Sequence, residues 1–369
     1  MNPFKFGSVV EGEHFTDREN EVRELIADIA AGQHVIIISQ RRLGKSSLVA
    51  KALKKAGKPV IQMDLEIITD ELDFANTYTK KALSLSSIEK FKRYLKGFKI
   101  QPSINFNPAN GDFDASFIAR ADSSATPLLD ALELPETIAR DQHKHFVVVF
   151  DEFQEVRRIS QLLERKMRGV FQQHHNVSYI FIGSQESMIR DIFQEKKNPF
   201  YKFGRQITLQ PISEAHMVAF VRERFTSVGI NAEPHISDIL KITGYHPYYT
   251  QQLCYELYVI LQAKKHHQIA KDDIVQAQQT IITQHNVDYR AWWNALNTTD
   301  RKIIIGIANG MTEPSSQAFI QKYGIRSTST AITATNKLIK KGYLIRNSKT
   351  GVLAVEDPFW QQWIVASRS

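Results

Sequence analysis

Three observations predict the fold class of this 369-residue chain. Over residues 1–211, short β-branched apolar runs alternate with stretches of helical periodicity, the pattern of a parallel sheet covered by helices on both faces. From about 212 to 290 the strand signals stop and only helical periods remain. Residues 291–369 then hold three helical patterns and a hairpin. The expectation is an α/β core on a five-stranded parallel sheet, then an all-helical segment, then a small C-terminal domain.

The five strands are expected at residues 35–39, 60–65, 146–151, 179–184 and 206–209, each short and apolar on both faces. Helical periods at 46–56 and 74–85 follow the first two, and those at 159–173 and 186–194 follow the third and fourth. Residues 98–119 interrupt this rhythm. Period-2 patterning runs on both sides of Pro108-Ala109-Asn110-Gly111, and the Asn-Gly pair tolerates the positive φ of a hairpin turn. A β-hairpin inserted between the second and third sheet strands is expected. Beyond it, helical segments fall at 213–225, 235–243, 248–264 and 271–285, then at 299–309, 315–323 and 327–341, with a closing hairpin over 343–355. Three domains follow: a core over 1–211, a helical domain over 212–290 and a third over 291–369.

Composition narrows the class. Hydrophobic residues at 43% and charged residues at 23% exclude a mainly disordered or collagenous chain. The single cysteine, Cys254, excludes an intrachain disulfide and a cysteine metal site, so a reducing cytoplasm is expected. The apolar runs are strand-length and no membrane partner is expected. Residues 1–5 lack the apolar core of a secretory signal. The formal net charge is +8, a balance that fits nucleic acid, an anionic surface or acidic partners.

The strongest local signal is Ser39-Gln40-Arg41-Arg42-Leu43-Gly44-Lys45-Ser46-Ser47, between a strand and a helix. That is the context of a P-loop, whose backbone N–H groups and helix N-terminus surround phosphates with positive partial charge. Lys45 would reach the β- and γ-phosphates, and the Ser46 hydroxyl would ligate Mg2+. Ser39 stands where the pattern has its first glycine. Residues 146–150 form an apolar strand ending in Asp151-Glu152. Asp151 suits the Mg2+ ion, and Glu152 can polarise a water for attack on the γ-phosphate. Asp-Glu after a strand is also a common helix start, but both halves in order on separate strands point to a nucleoside triphosphate. Ser184 ends the next strand, where ligands of parallel sheets bind; it reads equally as a helix N-cap. Arg205 reads equally as a transition-state arginine or as an exposed loop-end residue.

Taken together, Asn2-Pro3-Phe4, residues 15–21, the loop 39–48, Asp151-Glu152-Phe153-Gln154, Gly183-Ser184 and Thr243-Gly244-Tyr245-His246-Pro247 resemble the archaeal-type ATPases. These belong to the STAND branch of AAA+ P-loop ATPases, and the resemblance runs from about residue 2 to 363. It implies the AAA+ sheet order and ATP as the nucleotide. It also implies that Arg18 and its neighbours flank the base, that His246 and Pro247 sit in a lid closing over the nucleotide, and that Arg205 matches an arginine before the fifth strand. Tyr245 replaces the usual second glycine of the lid segment.

The C-terminal zone carries most of the charge. Residues 291–355 hold nine basic residues against Asp300 and Glu313. Three helices and a hairpin form the winged-helix layout, with 327–341 in the recognition position. Ser327, Thr328, Ser329 and Thr330 suit phosphate or base-edge contacts, and Lys340, Lys341, Arg346 and Lys349 suit the phosphate backbone. Winged helices are also protein-interaction modules, so double-stranded DNA and a partner protein both stay open for residues 299–355. Trp360 and Trp363 are expected in the core, and His174-His175 and His266-His267 in solvent. The whole predicts a slow Mg2+-dependent ATPase working as a molecular switch, with a non-catalytic ATP-gated scaffold as the alternative. A nucleotide-dependent oligomer stays open.

Overall fold

The computed structural model describes residues 1–7, 18–100, 102–107, 112–117, 127–347 and 351–368. The chain divides into two compact units, Arg18–Gln210 and a second made of Met1–Asp17 with Pro211–Ser369. Among the described residues, no helix is long and apolar enough to cross a membrane.

The first unit runs α1 (Glu19–Ala30), β1 (Val35–Ile38), α2 (Lys45–Ala56), β2 (Val60–Asp64), α3 (Glu71–Leu83), α4 (Ile88–Leu95), β3 (Ser103–Asn107), β4 (Asp112–Ser116) and α5 (Leu128–Asp141). It continues through β5 (Phe146–Asp151), α6 (Val156–Ile159), α7 (Leu163–Phe171), β6 (Val177–Gly183), α8 (Glu186–Gln194) and β7 (Arg205–Thr208). Five strands form one sheet in the order β2-β5-β6-β1-β7, every neighbouring pair parallel. Parallel neighbours need crossovers, and the helices supply them. This register brings the carboxyl ends of β1, β5 and β6 to one edge of the sheet, which sets residues 39–46, 151–152 and 184 side by side.

Only the inner strands β1, β5 and β6 meet the expectation of burial on both faces. β2 and β7 are the sheet edges and leave side chains such as Gln62 and Asp64 exposed. The core over β5 is aromatic: Phe150 stacks with Tyr78, Phe171 and Phe181 at centroid distances of 5.9, 5.9 and 5.8 Å. The stretch 159–173, expected as one helix, is two, because Ser160 is extended (φ −163) and ends α6. α5 was not legible as a helix, since Pro135 lies inside it. β3 and β4 pair antiparallel with Phe106 opposite Phe113. The Asn110-Gly111 turn lies outside the described residues.

The second unit holds α9 (Glu214–Thr226), α10 (Ile236–Ile242), α11 (Pro247–Lys264), α12 (Lys271–Gln284) and α13 (Asn286–Asn294). It then runs α14 (Thr298–Ala308), α15 (Gln317–Tyr323), α16 (Thr328–Lys340), β8 (Leu344–Arg346), β9 (Leu353–Val355) and α17 (Pro358–Arg368). One apolar core passes through all of these, so no break in packing coincides with residue 290. The first residues of the chain join this unit and not the α/β core that the 1–211 boundary gives them. Phe4 is buried with its ring 4.7 Å from Phe225 and 6.2 Å from Phe220. The Asn2 amide donates to the Tyr255 carbonyl at 3.2 Å, and the Lys5 N–H donates to Gln251 at 3.3 Å. Burying one phenyl ring contributes about 2–3 kcal/mol, enough to fix a short terminal segment. Trp360 and Trp363 are in the core as expected, on a helix started by Asp357, whose Oδ1 accepts from the N–H groups of Phe359 and Trp360.

Candidate active site

The loop after β1 turns back on itself before α2 begins. Ser39 is buried, its hydroxyl donates to the Gln40 carbonyl at 2.8 Å, and its φ is not positive. That explains why serine replaces the expected glycine: the backbone there does not need glycine. The left-handed conformations fall later, at Arg42 (φ 58) and Gly44 (φ 88), where the chain bends to point successive N–H groups toward the helix start. Lys45 opens α2 and is only 7% exposed. Its Nζ donates to the Gln40 carbonyl at 3.3 Å. Burial pushes its pKa down, against the carboxylates of Glu152 and Asp151, while Arg41 adds to the depression. Leu43 within the loop and Leu48 in the first turn of α2 are buried.

Asp151 closes β5 and meets the loop. The Ser46 hydroxyl donates to its Oδ2 at 3.4 Å, and its Oδ1 accepts from the Glu152 N–H at 2.9 Å. Burial pushes the Asp151 carboxyl up, against the hydrogen bond from the Glu152 N–H and the charge of Lys45, while the carboxylates of Glu152 and Asp64 add to the rise. A hydroxyl and one carboxylate, with no cage of three acids or histidines among the described residues, is the donor set of Mg2+, which takes its other oxygens from phosphates and water. Asp64 ends β2 in register with Asp151. Sequence reasoning missed it, although a strand-end acid was the available signal.

Glu152 sits in the left-handed region (φ 49, ψ 46), which turns its side chain out of the strand direction. Its Oε2 accepts from the Ser184 hydroxyl at 2.7 Å and also from Gln154 Nε2. Ser184 is therefore a partner of the carboxylate. The N-cap position of α8 belongs to Gln185, so the N-cap alternative does not describe Ser184. Gln154, buried at 2% exposure, is the second residue that sequence reasoning left without a role. Gly183 makes this contact fit: a Cβ there would stand 2.4 Å from Ile189 and 2.5 Å from Gln154 Oε1.

Other expected residues lie elsewhere. Arg205 pairs with Val35, at the amino end of β1, whereas the loop leaves the carboxyl end. Its guanidinium bonds Glu24 at 2.6 Å and Asp28 at 2.7 Å. It cannot reach phosphates in its own chain's loop, because a strand's length separates them. Arg18 is 4% exposed and donates to Glu21 at 2.9 Å and to the Gln210 carbonyl at 2.6 Å. It ties the start of α1 to the exit of the sheet, and its buried Nε has no partner among the described residues. Residues 15–17 lie outside the described residues. His246 is the N-cap of α11 and Pro247 its first residue, in the other unit. Tyr245 takes a left-handed φ of 58, the conformation glycine would supply, and its hydroxyl donates to Glu214 at 3.2 Å. His174, expected in solvent, is buried between Tyr179 and Glu133.

In the C-terminal region α16 begins with Ser327 as N-cap, its hydroxyl accepting from the Thr330 N–H at 3.2 Å. Ser329, Ile332, Thr333, Asn336 and Lys340 form its exposed stripe. Several of the basic residues are already engaged. Lys337 pairs with buried Asp300, Lys302 donates to the Gly324 carbonyl at 2.7 Å, and Arg301 donates to the Trp293 carbonyl at 3.2 Å. Arg346 bonds the Gly351 carbonyl at 2.8 Å. Arg326, Lys340 and Lys341 are exposed, and Lys349 lies outside the described residues.

An ATPase domain predominantly from Archaea matches residues 15–253, and a probable winged helix domain matches residues 287–366. Among solved structures, the Walker-type ATPase of Pyrococcus abyssi is similar with a TM-score of 0.68 at 16% identity, covering 98% of this chain and 99% of that one. The Aeropyrum pernix ORC2 protein in ADPNP–ADP complexes gives 0.51 at 13% identity, covering 99% and 97%. The Aeropyrum pernix ORC1 protein in complex with DNA gives 0.52 at 10% identity, covering 96% and 95%. At these identities the likeness is one of fold. No curated protein matches the chain.

Proposed function

We propose that this chain, which belongs to the family of ATPase domains found predominantly in Archaea, is a slow Mg2+-dependent ATPase of the STAND type that drives its winged helix between two states. The observation that carries the reading is the meeting of three strand ends. Ser46 faces Asp151 at 3.4 Å, while Ser184 holds the neighbouring Glu152 at 2.7 Å. Lys45 leaves the Gln40 carbonyl for the β- and γ-phosphates of ATP, whose charge offsets the cost of keeping an ammonium buried. Residues 40–44 and the N-terminus of α2 offer main-chain N–H groups to the same oxygens. Ser46 and Asp151 would hold Mg2+, which when bound neutralises charge between the β- and γ-phosphates.

Glu152, aimed by Ser184 and Gln154, takes a proton from a water whose oxygen attacks the γ-phosphorus. The bond to the β–γ bridging oxygen breaks, and ADP and phosphate leave. His246 and Pro247, at the start of α11, are the lid residues that would report the nucleotide to the second unit. Arg18, held by the Gln210 carbonyl at the core's exit, would bring the start of α1 to the nucleotide base. On the effector side, the exposed stripe of α16 would enter a DNA major groove, with Arg326, Lys340 and Lys341 on phosphates. The experiment is Glu152→Gln: turnover is abolished and nucleotide binding survives. Hydrolysis at the wild-type rate in that variant removes the base assignment.

One observation favours the second reading, an ATP-gated scaffold without turnover. The only arginine that sequence reasoning offered for transition-state charge, Arg205, is committed to Glu24 and Asp28. Protein purified with one unhydrolysed ATP per chain, and no phosphate release with DNA present, decides for the scaffold.

A further inference from the structure

A basic and aromatic surface on the α/β unit has no part in the reading above. Residues 88–99 carry Lys90, Lys92, Arg93, Lys96 and Lys99 against one acid, Glu89. Lys90 and Arg93 pair with Asp141 of α5, which fixes α4 to the core. Lys92, Lys96 and Lys99 are exposed and make no ion pair among the described residues. Lys92 and Lys96 stand one helical turn apart, where side chains are neighbours. They lie away from Phe91, Tyr94 and Leu95, which α4 buries.

Phe106 of β3 is 46% exposed, the most open phenylalanine ring of the described core. It lies directly opposite Phe113 on β4, and directly opposed residues share a face of the ribbon. Phe113 in turn packs on Phe91 of α4 with ring centroids 4.7 Å apart. The open ring is therefore on the side of the hairpin that α4 covers, so ring and lysines belong to one packed pair of elements.

We infer that α4 and the hairpin bind a single strand of nucleic acid, with Lys92, Lys96 and Lys99 along its phosphates and Phe106 under an unpaired base. Exposed cations and an open aromatic ring on neighbouring elements are the two parts that single-strand sites combine. An anionic membrane fits less well, because the apolar face of α4 is already buried and only Phe106 remains to enter lipid. An acidic protein segment would satisfy the lysines and leave the ring without a planar partner. This surface requires neither hydrolysis nor the winged helix.

The test is a salt titration of fluorescent oligo(dT) and oligo(U) binding by the full chain. The same strand annealed to its complement and phosphatidylserine vesicles complete the set. Replacing Lys92, Lys96 and Lys99 together by Gln should lower the log–log salt slope for the single strands by about 2, since each phosphate contact contributes about 0.7. Phe106→Ala should weaken single-strand binding about 5- to 150-fold at unchanged slope and leave duplex binding alone. Lys340→Gln with Lys341→Gln should leave the single-strand slope intact, so failure of the winged-helix reading and failure here give different results. Tighter binding of either oligonucleotide supports the inference and identifies the sugar. A wild-type slope in the triple variant overturns it, as does absence of single-strand binding at low salt. Loss of vesicle binding alone in the triple variant overturns it in favour of a membrane.

Discussion

Ser184→Ala tests how the base is held. The Ser184 hydroxyl donates to Glu152 Oε2 at 2.7 Å, and Gln154 Nε2 donates to the same oxygen. Glu152 needs both, because its left-handed backbone persists only where the surroundings fix it. A hydrogen bond to a charged group is worth about 1.5–3 kcal/mol. If all of it serves to aim the carboxylate at the attacking water, kcat falls about 10- to 150-fold. Nucleotide affinity stays within about twofold, since the bond does not touch the phosphate loop. The assay is phosphate release together with calorimetric binding of a non-hydrolysable analogue, on wild type, Ser184→Ala, Glu152→Gln and the double variant. Ser184 acts through Glu152, so the double variant should fall no further than Glu152→Gln alone. Two results refute the reasoning. One is full kcat in Ser184→Ala; the other is losses that multiply in the double variant, which would mean the hydroxyl serves the phosphate directly.

Asp151→Asn removes the carboxylate facing Ser46 and should abolish the tightening of ADP binding by Mg2+, about tenfold or more, while Mg2+-free binding survives; an unchanged Mg2+ effect by calorimetry rules out this metal assignment. His34 stacks on Phe203 at 4.6 Å, its Nδ1 accepts from the Tyr179 N–H at 3.3 Å, and burial beside His174, Arg168 and His145 holds its pKa down to about 4. A group neutral in the fold contributes stability that is full above its ordinary value of 6.5 and lost as pH falls toward 4, about 3 kcal/mol in all and about 2 kcal/mol by about pH 5. Urea midpoints should drop accordingly between about pH 7.5 and pH 5 in wild type and much less in His34→Gln; equal drops in both would place the effect elsewhere. Lys337→Met strands buried Asp300 and should cost about 2–3 kcal/mol, read as a lower Tm, with no change in the salt slope of DNA binding. A lowered slope there would return Lys337 to the phosphate-contacting set.

The sheet and the phosphate loop were legible because both depend on local pattern. Inner strands are buried on both faces, so they read as continuous apolar runs, and the loop must sit between a strand and a helix. The edge strands β2 and β7 were less faithful to that pattern, because half their side chains face water. What the sequence could not show was which donors converge on Glu152. Ser184 is 32 residues away, and only the β5–β6 pairing brings the two strand ends together. Arg205 is a different failure. The rule that ligands bind at the carboxyl ends of parallel strands pointed to Ser184, and the same rule places a residue at the start of a strand on the far side of the sheet. Phe4 shows the limit of reading domains as contiguous stretches: a single aromatic ring can carry a chain end into a core that begins two hundred residues later.

The +8 charge needs a different account from the one its sequence distribution implies. Summed along the chain, the excess falls in residues 291–355, which points to the winged helix as the anionic contact. Folding pairs one of these charges, Lys337 with Asp300, and turns donors of Lys302, Arg301 and Arg346 onto backbone carbonyls, where they hold the domain together and keep their charge. Four exposed cations, Lys322, Arg326, Lys340 and Lys341, make no ion pair or carbonyl bond among the described residues there, and they could add about 4 to a duplex salt slope. Conversely, residues 88–99 vanish from the sum because acids elsewhere in the core balance them, yet three of their lysines are exposed together. Net charge per segment counts charges that folding has already paired. The field a nucleic acid meets is set by the unpaired ones, and these lie on both units.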